Sequence, residues 1–267
     1  MQRYFQENVF VFPHIEKTGG SAFVAGLSTI LGVDHVHDIR GGKLRPAELS
    51  PQDLNKIWLF SGHFWFDTQE MPFARTKRYF ITMRDPVDRF ISHYNFVVAS
   101  KSHPEHARYG NLGIAEAYRV LRNTRQGQMI LFNRVTKMFG GREVDMRPTT
   151  PPPFRGRVKR VMLKQPGTLE VAKRTIEQRF VLAIPMTKID DAIRGLGAAF
   201  GLAISDVERV NVGKKQVTDL PNEIRQEIID GNANDYRLLA YIEKYFDRWL
   251  NDVETRLSRN SAESLAK

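Results

Sequence analysis

Short apolar runs alternate along the chain with longer segments of helical periodicity. The first run, residues 8–14, is rich in Val and Phe and precedes a glycine pair and a helical segment, which predicts a strand, a tight loop and a helix. Runs at residues 57–61, 78–83 and 180–185 predict three further strands. Because these strands are almost wholly apolar and alternate with helices, we expect an α/β fold with a central parallel sheet covered by helices on both faces.

Helices are predicted where apolar residues recur at three- and four-residue spacing. We expect a single domain over residues 1–250 and a polar C-terminal tail over residues 251–267. Within the domain, residues 142–164 contain three consecutive prolines, which fit a long surface flap rather than a helix or a central strand. The predicted helices are residues 46–56, 85–100, 114–121, 129–139, 169–178 and 188–200, a helix that begins at Pro221, and residues 234–250.

The charge of the chain indicates an anionic partner. The 40 Lys and Arg residues exceed the 30 Asp and Glu residues, which gives a formal net charge of +10. Such an excess suits a nucleic acid, a phosphorylated ligand, an acidic glycan or a membrane surface. The absence of cysteine excludes a disulfide scaffold, a thiolate nucleophile and an iron–sulfur cluster.

Other sequence features remove some of these partners. No apolar run approaches the roughly 20 residues of a membrane helix, and the N-terminus lacks a basic, apolar leader, so we expect a cytoplasmic protein with no membrane span. No recognisable DNA- or RNA-binding motif accompanies the charge, which makes a nucleic-acid-binding protein the weaker alternative. Residues 34–38, DHVHD, resemble a metal site in composition but are more typical of a solvated strand edge, and we expect no metal.

The loop after the first predicted strand has the parts of a phosphate-binding turn. Residues 16–21, EKTGGS, combine two glycines, a lysine, two hydroxyls and the start of a helix. Ligands of open parallel sheets bind at the carboxyl ends of the strands, where this loop lies. The loop is not a Walker A motif, because Lys17 precedes the glycine pair, and this weakens the alternative of a small-molecule or nucleotide kinase.

A second anion site is predicted at the end of the third strand. Arg84 follows that strand directly, and Ser92 lies eight positions later in the next helix. A guanidinium and a hydroxyl in this arrangement can hold a second phosphate. The alternative is that Asp85 and Asp88 cap the helix while Arg84 and Arg89 pair with them.

Two segments resemble the donor-binding motifs of sulfotransferases that use 3′-phosphoadenosine 5′-phosphosulfate (PAPS). HIEKTGGSAF, residues 14–23, is similar to their 5′-phosphosulfate loop, and YFITMRDPVDRFISHYNF, residues 79–96, is similar to their 3′-phosphate motif. The likeness is to the carbohydrate branch with the heparan and uronyl 2-O-sulfotransferases and their bacterial relatives. Further similar segments are SGHF at residues 61–64, NRVTKMFGG at 133–141, FVLAIPMTKIDDAIRGL at 180–196 and NDY at 234–236.

The resemblance implies a P-loop-NTPase-like three-layer fold and binding of PAPS as the anionic sulfuryl donor. Lys17 would stabilise the oxygen that bridges sulfur and phosphorus, and Arg84 and Ser92 would hold the 3′-phosphate. Lys214 is a further candidate for the nucleotide phosphates, although a solvated turn explains it equally well. The backbone N–H groups that would hold the 5′-phosphate belong to Thr18, Gly19, Gly20, Ser21 and Ala22.

The resemblance also implies a general base, for which there are two candidates. His63 follows the second predicted strand and matches the catalytic histidine of the 2-O-sulfotransferase pattern. Some relatives have a second histidine where this chain has Ser61, which leaves a two-histidine mechanism without support. Glu16 is the alternative base, because other sulfotransferase branches use a glutamate and most similar sequences have Pro at this position.

The acceptor is the least determined partner. The resemblance favours a carbohydrate, and the charge of the chain favours an acidic one. The flap over residues 142–164 contains seven basic and two acidic residues, and it either closes over the site and attracts such an acceptor or is a surface loop that aids solubility.

Overall fold

A computed structural model describes residues 1–41, 43–64, 66, 72–140, 169–205 and 219–258. In these residues one sheet has the strand order β2-β3-β1-β4-β5, and all neighbouring strands are parallel. Every residue of β1 and β5 is buried, so helices cover both faces of the sheet, as expected. The strands are β1 (Asn8–Pro13), β2 (Val36–Asp38), β3 (Leu59–Gly62), β4 (Thr76–Met83) and β5 (Phe180–Pro185).

The flanking helices pack on the sheet through a core that is mainly aromatic and branched aliphatic. The predicted α/β class and its four strands are confirmed, and the fifth strand, β2, lies at the edge of the sheet. The helices are α1 (Gln2–Glu7), α2 (Gly20–Leu31), α3 (Pro51–Lys56), α4 (Pro86–Ala99), α5 (His106–Tyr109), α6 (Ile114–Arg122), α7 (Arg125–Leu131), α8 (Arg134–Gly140), α9 (Leu169–Arg179), α10 (Ile189–Ala199), α11 (Asn222–Gly231), α12 (Ala233–Asn251) and α13 (Val253–Ser258).

Two of the predicted helices have the wrong boundaries. The helix predicted over residues 129–139 is two helices, α7 and α8, because Asn133 between them has a φ of +47° and interrupts the α-helical backbone. Of the helix predicted over residues 46–56, only α3 is α-helical. The Ser50 side chain caps α3, and a single 3₁₀ turn precedes it.

Part of the segment predicted as a polar tail, residues 251–267, packs on the domain. Residues 253–258 instead form α13, with Val253 and Leu257 buried in the core. The Arg256 guanidinium donates to the carbonyls of Val181 and Phe180 at 2.7 and 2.8 Å, which attaches α13 to β5. The remainder of the tail and the flap over residues 142–164 lie outside the described residues.

The turn between α7 and α8 is joined to the turn between α11 and α12. The Asn133 backbone N–H donates to the Asn232 side chain at 2.8 Å, and the Asn133 side chain accepts from the backbone N–H groups of Asn234 and Asp235, both at 3.1 Å. The buried Asp235 carboxylate in turn accepts from the N–H of Val135 and from the N–H and hydroxyl of Thr136, at 3.1, 2.8 and 2.7 Å. Asp235 therefore caps α8 from a distant part of the chain.

We predict that Asp235→Ala lowers the free energy of unfolding by about 2–4 kcal/mol, because two backbone N–H groups lose their acceptor in a buried place. Urea denaturation followed by circular dichroism measures the change. Glu243→Ala, an exposed position on the same helix, is the matched control and should stay within about 0.5 kcal/mol of the wild type. Equal stability of the two variants would contradict the capping role.

Candidate active site

The site lies where three neighbouring strands end. Central β1 pairs with β3 on one side and β4 on the other, and Pro13 is in register with Gly62. The His14 backbone N–H continues this pairing with a 2.8 Å hydrogen bond to the Gly62 carbonyl. The segments that follow β1, β3 and β4 are therefore brought side by side, and these segments carry most of the predicted site residues.

The loop between β1 and α2 is tightly constrained. Lys17 has a φ of +65° and Gly19 a φ of +87°. The positive φ of Gly19 favours glycine, and a Cβ atom there would also lie 2.5 Å from Ile189 Cδ1, so α10 packs closely on this loop. The fully buried Thr18 hydroxyl donates to the Ile15 carbonyl at 2.9 Å and lies 2.9 Å from the Thr82 hydroxyl. The Thr18 side chain therefore holds the loop against β4 and is not available to a ligand. The backbone N–H of Thr18 is the group that can make the predicted ligand contact.

The N-terminus of α2 presents backbone N–H groups without a side-chain cap. The first backbone hydrogen bond of this turn runs from the Phe23 N–H to the Gly19 carbonyl at 3.2 Å. The N–H groups of Gly20, Ser21 and Ala22 precede that bond, and a helix start of this kind is suited to an anion. The Ser21 hydroxyl already accepts a 2.9 Å hydrogen bond from Arg40.

Two cationic side chains lie close to this helix start. The Lys17 ammonium lies 4.2 Å from the centroid of the Phe96 ring. Burial lowers the pKa of Lys17, and the charge of Arg84 lowers it further. Burial also lowers the pKa of Arg84, and its Nε is buried without a hydrogen-bond partner in the described part of the chain. Two partly buried cations that repel each other favour the binding of an anion between them.

Ser92 lies on α4 and is half-buried. It precedes Phe96 by four residues, so both side chains are on the helix face that Lys17 contacts. Asp85 caps the same helix by accepting from the Asp88 N–H at 2.9 Å. The capping alternative therefore holds for Asp85, while Arg84 makes no ion pair within 4.0 Å among the described residues.

His63 follows β3 and has its Nδ1 2.9 Å from the His14 carbonyl. A carbonyl can only accept, so Nδ1 carries the proton and the neutral ring keeps its lone pair on Nε2. The side chain is 44% exposed. Ser61, where similar sequences have another histidine, is fully buried in β3, and it contributes no group to the open part of the site.

His14 and Arg40 are site residues that sequence reasoning missed. The His14 ring is stacked on His63 with centroids 4.8 Å apart, and its Nδ1 accepts from Arg40 at 3.0 Å. Burial lowers the pKa of His14 to about 2, and the charges of Arg40, His63 and Lys17 act in the same direction. His14 is therefore neutral and serves to hold His63 rather than to accept a proton.

Packing against His14 explains the second glycine of the loop. A Cβ atom at Gly20 would lie 1.8 Å from His14 Cδ2 and 2.2 Å from His14 Nε2. The sequence feature that could have indicated this role of His14 is its position at the end of a predicted strand. No sequence pattern indicated Arg40, because it reaches the site through a 3₁₀ turn after β2.

The Glu16 carboxylate lies between the side chains of His63 and Arg134. Its Oε1 is 3.8 Å from His63 Nδ1 and 3.5 Å from Arg134 Nη2. Burial alone would raise the pKa of Glu16, but Arg134, a backbone N–H, His63 and Arg89 together hold it below the usual value. Glu16 is therefore ionised at neutral pH, and it is better suited to stabilise a protonated His63 than to accept a proton itself.

The structure thus brings Lys17 near Arg84 and Glu16 near His63. Ser92 lies on the helix whose Phe96 contacts Lys17, and Lys214 lies outside the described residues. Over the described part of the chain, no group of three or more His, Asp or Glu side chains is arranged to hold a metal ion. In the predicted strand edge, His35 Nδ1 lies 2.8 Å from the Lys56 carbonyl, and His37 Nε2 lies 2.8 Å from the Leu44 carbonyl. None of the described helices is long and apolar enough to cross a bilayer.

Comparison with known proteins assigns this geometry to a family. The model of the sulfotransferase family matches residues 3–146, which is more than half of the 267 residues and includes β1 to β4. No curated protein matches the chain. With the parallel sheet and the strand–loop–helix unit at its centre, this match shows that the chain belongs to the sulfotransferase family.

Proposed function

We propose that this protein transfers the sulfuryl group of PAPS to a hydroxyl of a carbohydrate, as the 2-O-sulfotransferase-like branch does. The observation that carries the proposal is a pair of adjacent anion sites. One is the uncapped start of α2 with Lys17, and the other is Arg84, whose Nε is buried without a hydrogen-bond partner among the described residues and whose charge acts on Lys17. The 5′- and 3′-phosphate groups of the donor match this pair, whereas ATP has no 3′-phosphate.

The transfer is an in-line displacement at sulfur. A bond forms between the acceptor oxygen and sulfur as the bond between sulfur and the phosphate oxygen breaks, and 3′,5′-ADP leaves. Negative charge accumulates on that phosphate oxygen. The Lys17 ammonium rests on Phe96, and its flexible side chain can reach this oxygen as the charge develops.

The acceptor hydroxyl loses its proton to His63 in this scheme. The lone pair on Nε2 takes the proton, and the ring then bears a positive charge. The His14 carbonyl at 2.9 Å and the Glu16 carboxylate at 3.8 Å, both near Nδ1, stabilise that charge. Glu16 remains the alternative base, although its carboxylate is held in the ionised form by Arg134.

We predict that 3′,5′-ADP raises the melting temperature more than 5′-ADP or ATP with Mg²⁺ does. Arg84→Gln should bind 3′,5′-ADP about 10- to 100-fold more weakly, because a charge-assisted hydrogen bond to the 3′-phosphate is lost. Arg119→Gln removes an exposed charge on α6 and is the matched control. Stabilisation by ATP–Mg²⁺ alone would indicate a kinase and overturn the proposal.

We predict that Lys17→Ala lowers kcat by about 10²- to 10³-fold, because the charge on the leaving oxygen is no longer stabilised. Binding of 3′,5′-ADP should persist, since the start of α2 and Arg84 are unchanged. Transfer from labelled PAPS under single-turnover conditions measures the loss. Near-normal turnover would remove Lys17 from the reaction, and Lys101→Ala is the control for a change of exposed charge.

We predict that His63→Gln lowers kcat/KM by about 10²- to 10⁴-fold and abolishes the loss of activity on the acid side of the pH–rate profile. That loss arises because a protonated imidazole cannot accept a proton. Glu16→Gln should keep the limb, since the imidazole that accepts the proton is still present. A His63→Gln profile with the same limb would assign the base to Glu16 instead.

A further inference from the structure

Asp38 holds the guanidinium of Arg40 at the end of β2. Arg40 Nε donates to the Asp38 carboxylate at 2.9 Å, Nη2 donates to the same carboxylate, and the Arg40 backbone N–H adds a hydrogen bond of 3.1 Å. The Arg40 and Asp38 side chains are 20% and 21% exposed, so salt and water screen the pair only in part. Asp38 is the last residue of DHVHD, whose composition resembled a metal site, and its carboxylate binds this guanidinium instead.

The remaining nitrogen of the guanidinium reaches two different parts of the site. Arg40 Nη1 lies 3.0 Å from His14 Nδ1 and 2.9 Å from the Ser21 hydroxyl oxygen. A guanidinium can only donate, so both groups accept from it. The planar fork of arginine allows one side chain to hold the carboxylate and both acceptors at once, and the single ammonium of a lysine cannot reproduce that geometry.

The contact with His14 leads to the proposed base. Because His14 accepts at Nδ1, its neutral ring carries the proton on Nε2. This ring stacks on His63 with centroids 4.8 Å apart, and the His14 carbonyl accepts from His63 Nδ1 at 2.9 Å. Arg40 therefore fixes the ring against which His63 lies.

The contact with Ser21 leads to the donor. Ser21 is the second residue of α2, at the uncapped start of that helix. Because the Ser21 oxygen accepts from Arg40, the hydroxyl proton is directed away from Arg40 and can donate to an anion at the helix start. His14 packs on the same helix start, since a Cβ atom at Gly20 would lie 1.8 Å from His14 Cδ2. One guanidinium thus supports the groups on both sides of the transfer.

We propose that Arg40, held by Asp38, is a positioning residue that couples the base to the donor-binding start of α2. This inference rests on the proposed function and deepens it, because it takes His63 as the base and the start of α2 as the site of the 5′-phosphosulfate. Arg40 acts through His14 and Ser21 and takes no part in the displacement itself. Its effect is to keep the attacking and leaving groups aligned.

The test combines variants of Arg40 with variants of the groups through which it acts. Arg40→Met, which keeps an apolar stem without charge or donors, is made alone, with His63→Gln and with Ser21→Ala. Arg40→Lys and Asp38→Asn are made alone, and Arg119→Met, at an exposed position on α6, is the matched control.

Three measurements separate alignment from folding. Single-turnover transfer from PAPS to a mixture of desulfated glycosaminoglycans gives the rate constant, and titration with 3′,5′-ADP gives the dissociation constant. Side-chain ¹⁵N NMR spectra report which histidine nitrogens carry protons, and they need no acceptor. The melting temperature of each variant shows that it is folded.

We predict that Arg40→Met lowers the rate constant about 10- to 100-fold, because the base and the donor lose their common support. In the His63→Gln background the same substitution should cost less than about threefold, since the base is already absent. Arg40→Met should weaken 3′,5′-ADP binding about three- to tenfold alone and less than about twofold in the Ser21→Ala background. Arg40→Lys should lose nearly as much rate as Arg40→Met, Asp38→Asn should lose part of it, and Arg119→Met should behave as the wild type.

Three results would overturn the positioning role while leaving the proposed function intact. They are full activity of Arg40→Lys, which would show that charge alone matters, equal losses in the wild-type and His63→Gln backgrounds, and a His14 ring that keeps its proton on Nε2 in Arg40→Met. A wild type that shows neither transfer nor preference for 3′,5′-ADP would instead contradict the proposed function, so the two failures are distinguishable.

Discussion

The arrangement of strand ends around β1 is the constraint on which the site depends. Because β1 lies between β3 and β4 in a parallel sheet, the segments after all three strands emerge at one edge. The 2.9 Å hydrogen bonds of Thr18 then hold the loop after β1 against β4. This backbone pairing sets the positions of Lys17, His63 and Arg84 relative to one another. Each side chain is then oriented by contacts with its own neighbours.

Positively charged side chains lie near one another at this edge of the sheet and repel each other. Lys17 and Arg84 act on each other as like charges, and the buried His14 is surrounded by Arg40, His63 and Lys17. Repulsion between partly buried cations is unfavourable, and an anion with two separated phosphate groups would offset it. The only carboxylate that contacts His63 within the described residues, Glu16, is itself paired with Arg134. The site therefore combines the neutral His14 with several nearby positive charges.

A second set of hydrogen bonds joins α4, α7, α8 and the start of α12 on the side of the site where Glu16 and Arg134 lie. The Asn133 turn and the capping Asp235 join α8 to the start of α12, and Arg89 joins α4 to α7. Two segments that resembled sulfotransferase motifs, residues 133–141 and 234–236, contact each other here through these bonds. In the described residues their role is thus to support the wall beside Glu16 and Arg134. Rigid support of this kind is what a site requires if its groups are to stay within hydrogen-bond reach.

The sequence by itself determined four of the five described strands, their parallel arrangement and the residues of the loop, because apolar runs, glycine pairs and helix starts are local patterns. The short edge strand β2 was not predicted. The same local reasoning predicted one helix over residues 129–139, whereas contacts with a turn about 100 residues later impose the break at Asn133. His14 with Arg40 and Glu16 with Arg134 are pairs that local patterns do not reveal, since their members lie 26 and 118 residues apart. Only the tertiary structure decided which nitrogen of His63 carries the proton and that Glu16 is ionised, because both depend on groups that the fold brings together.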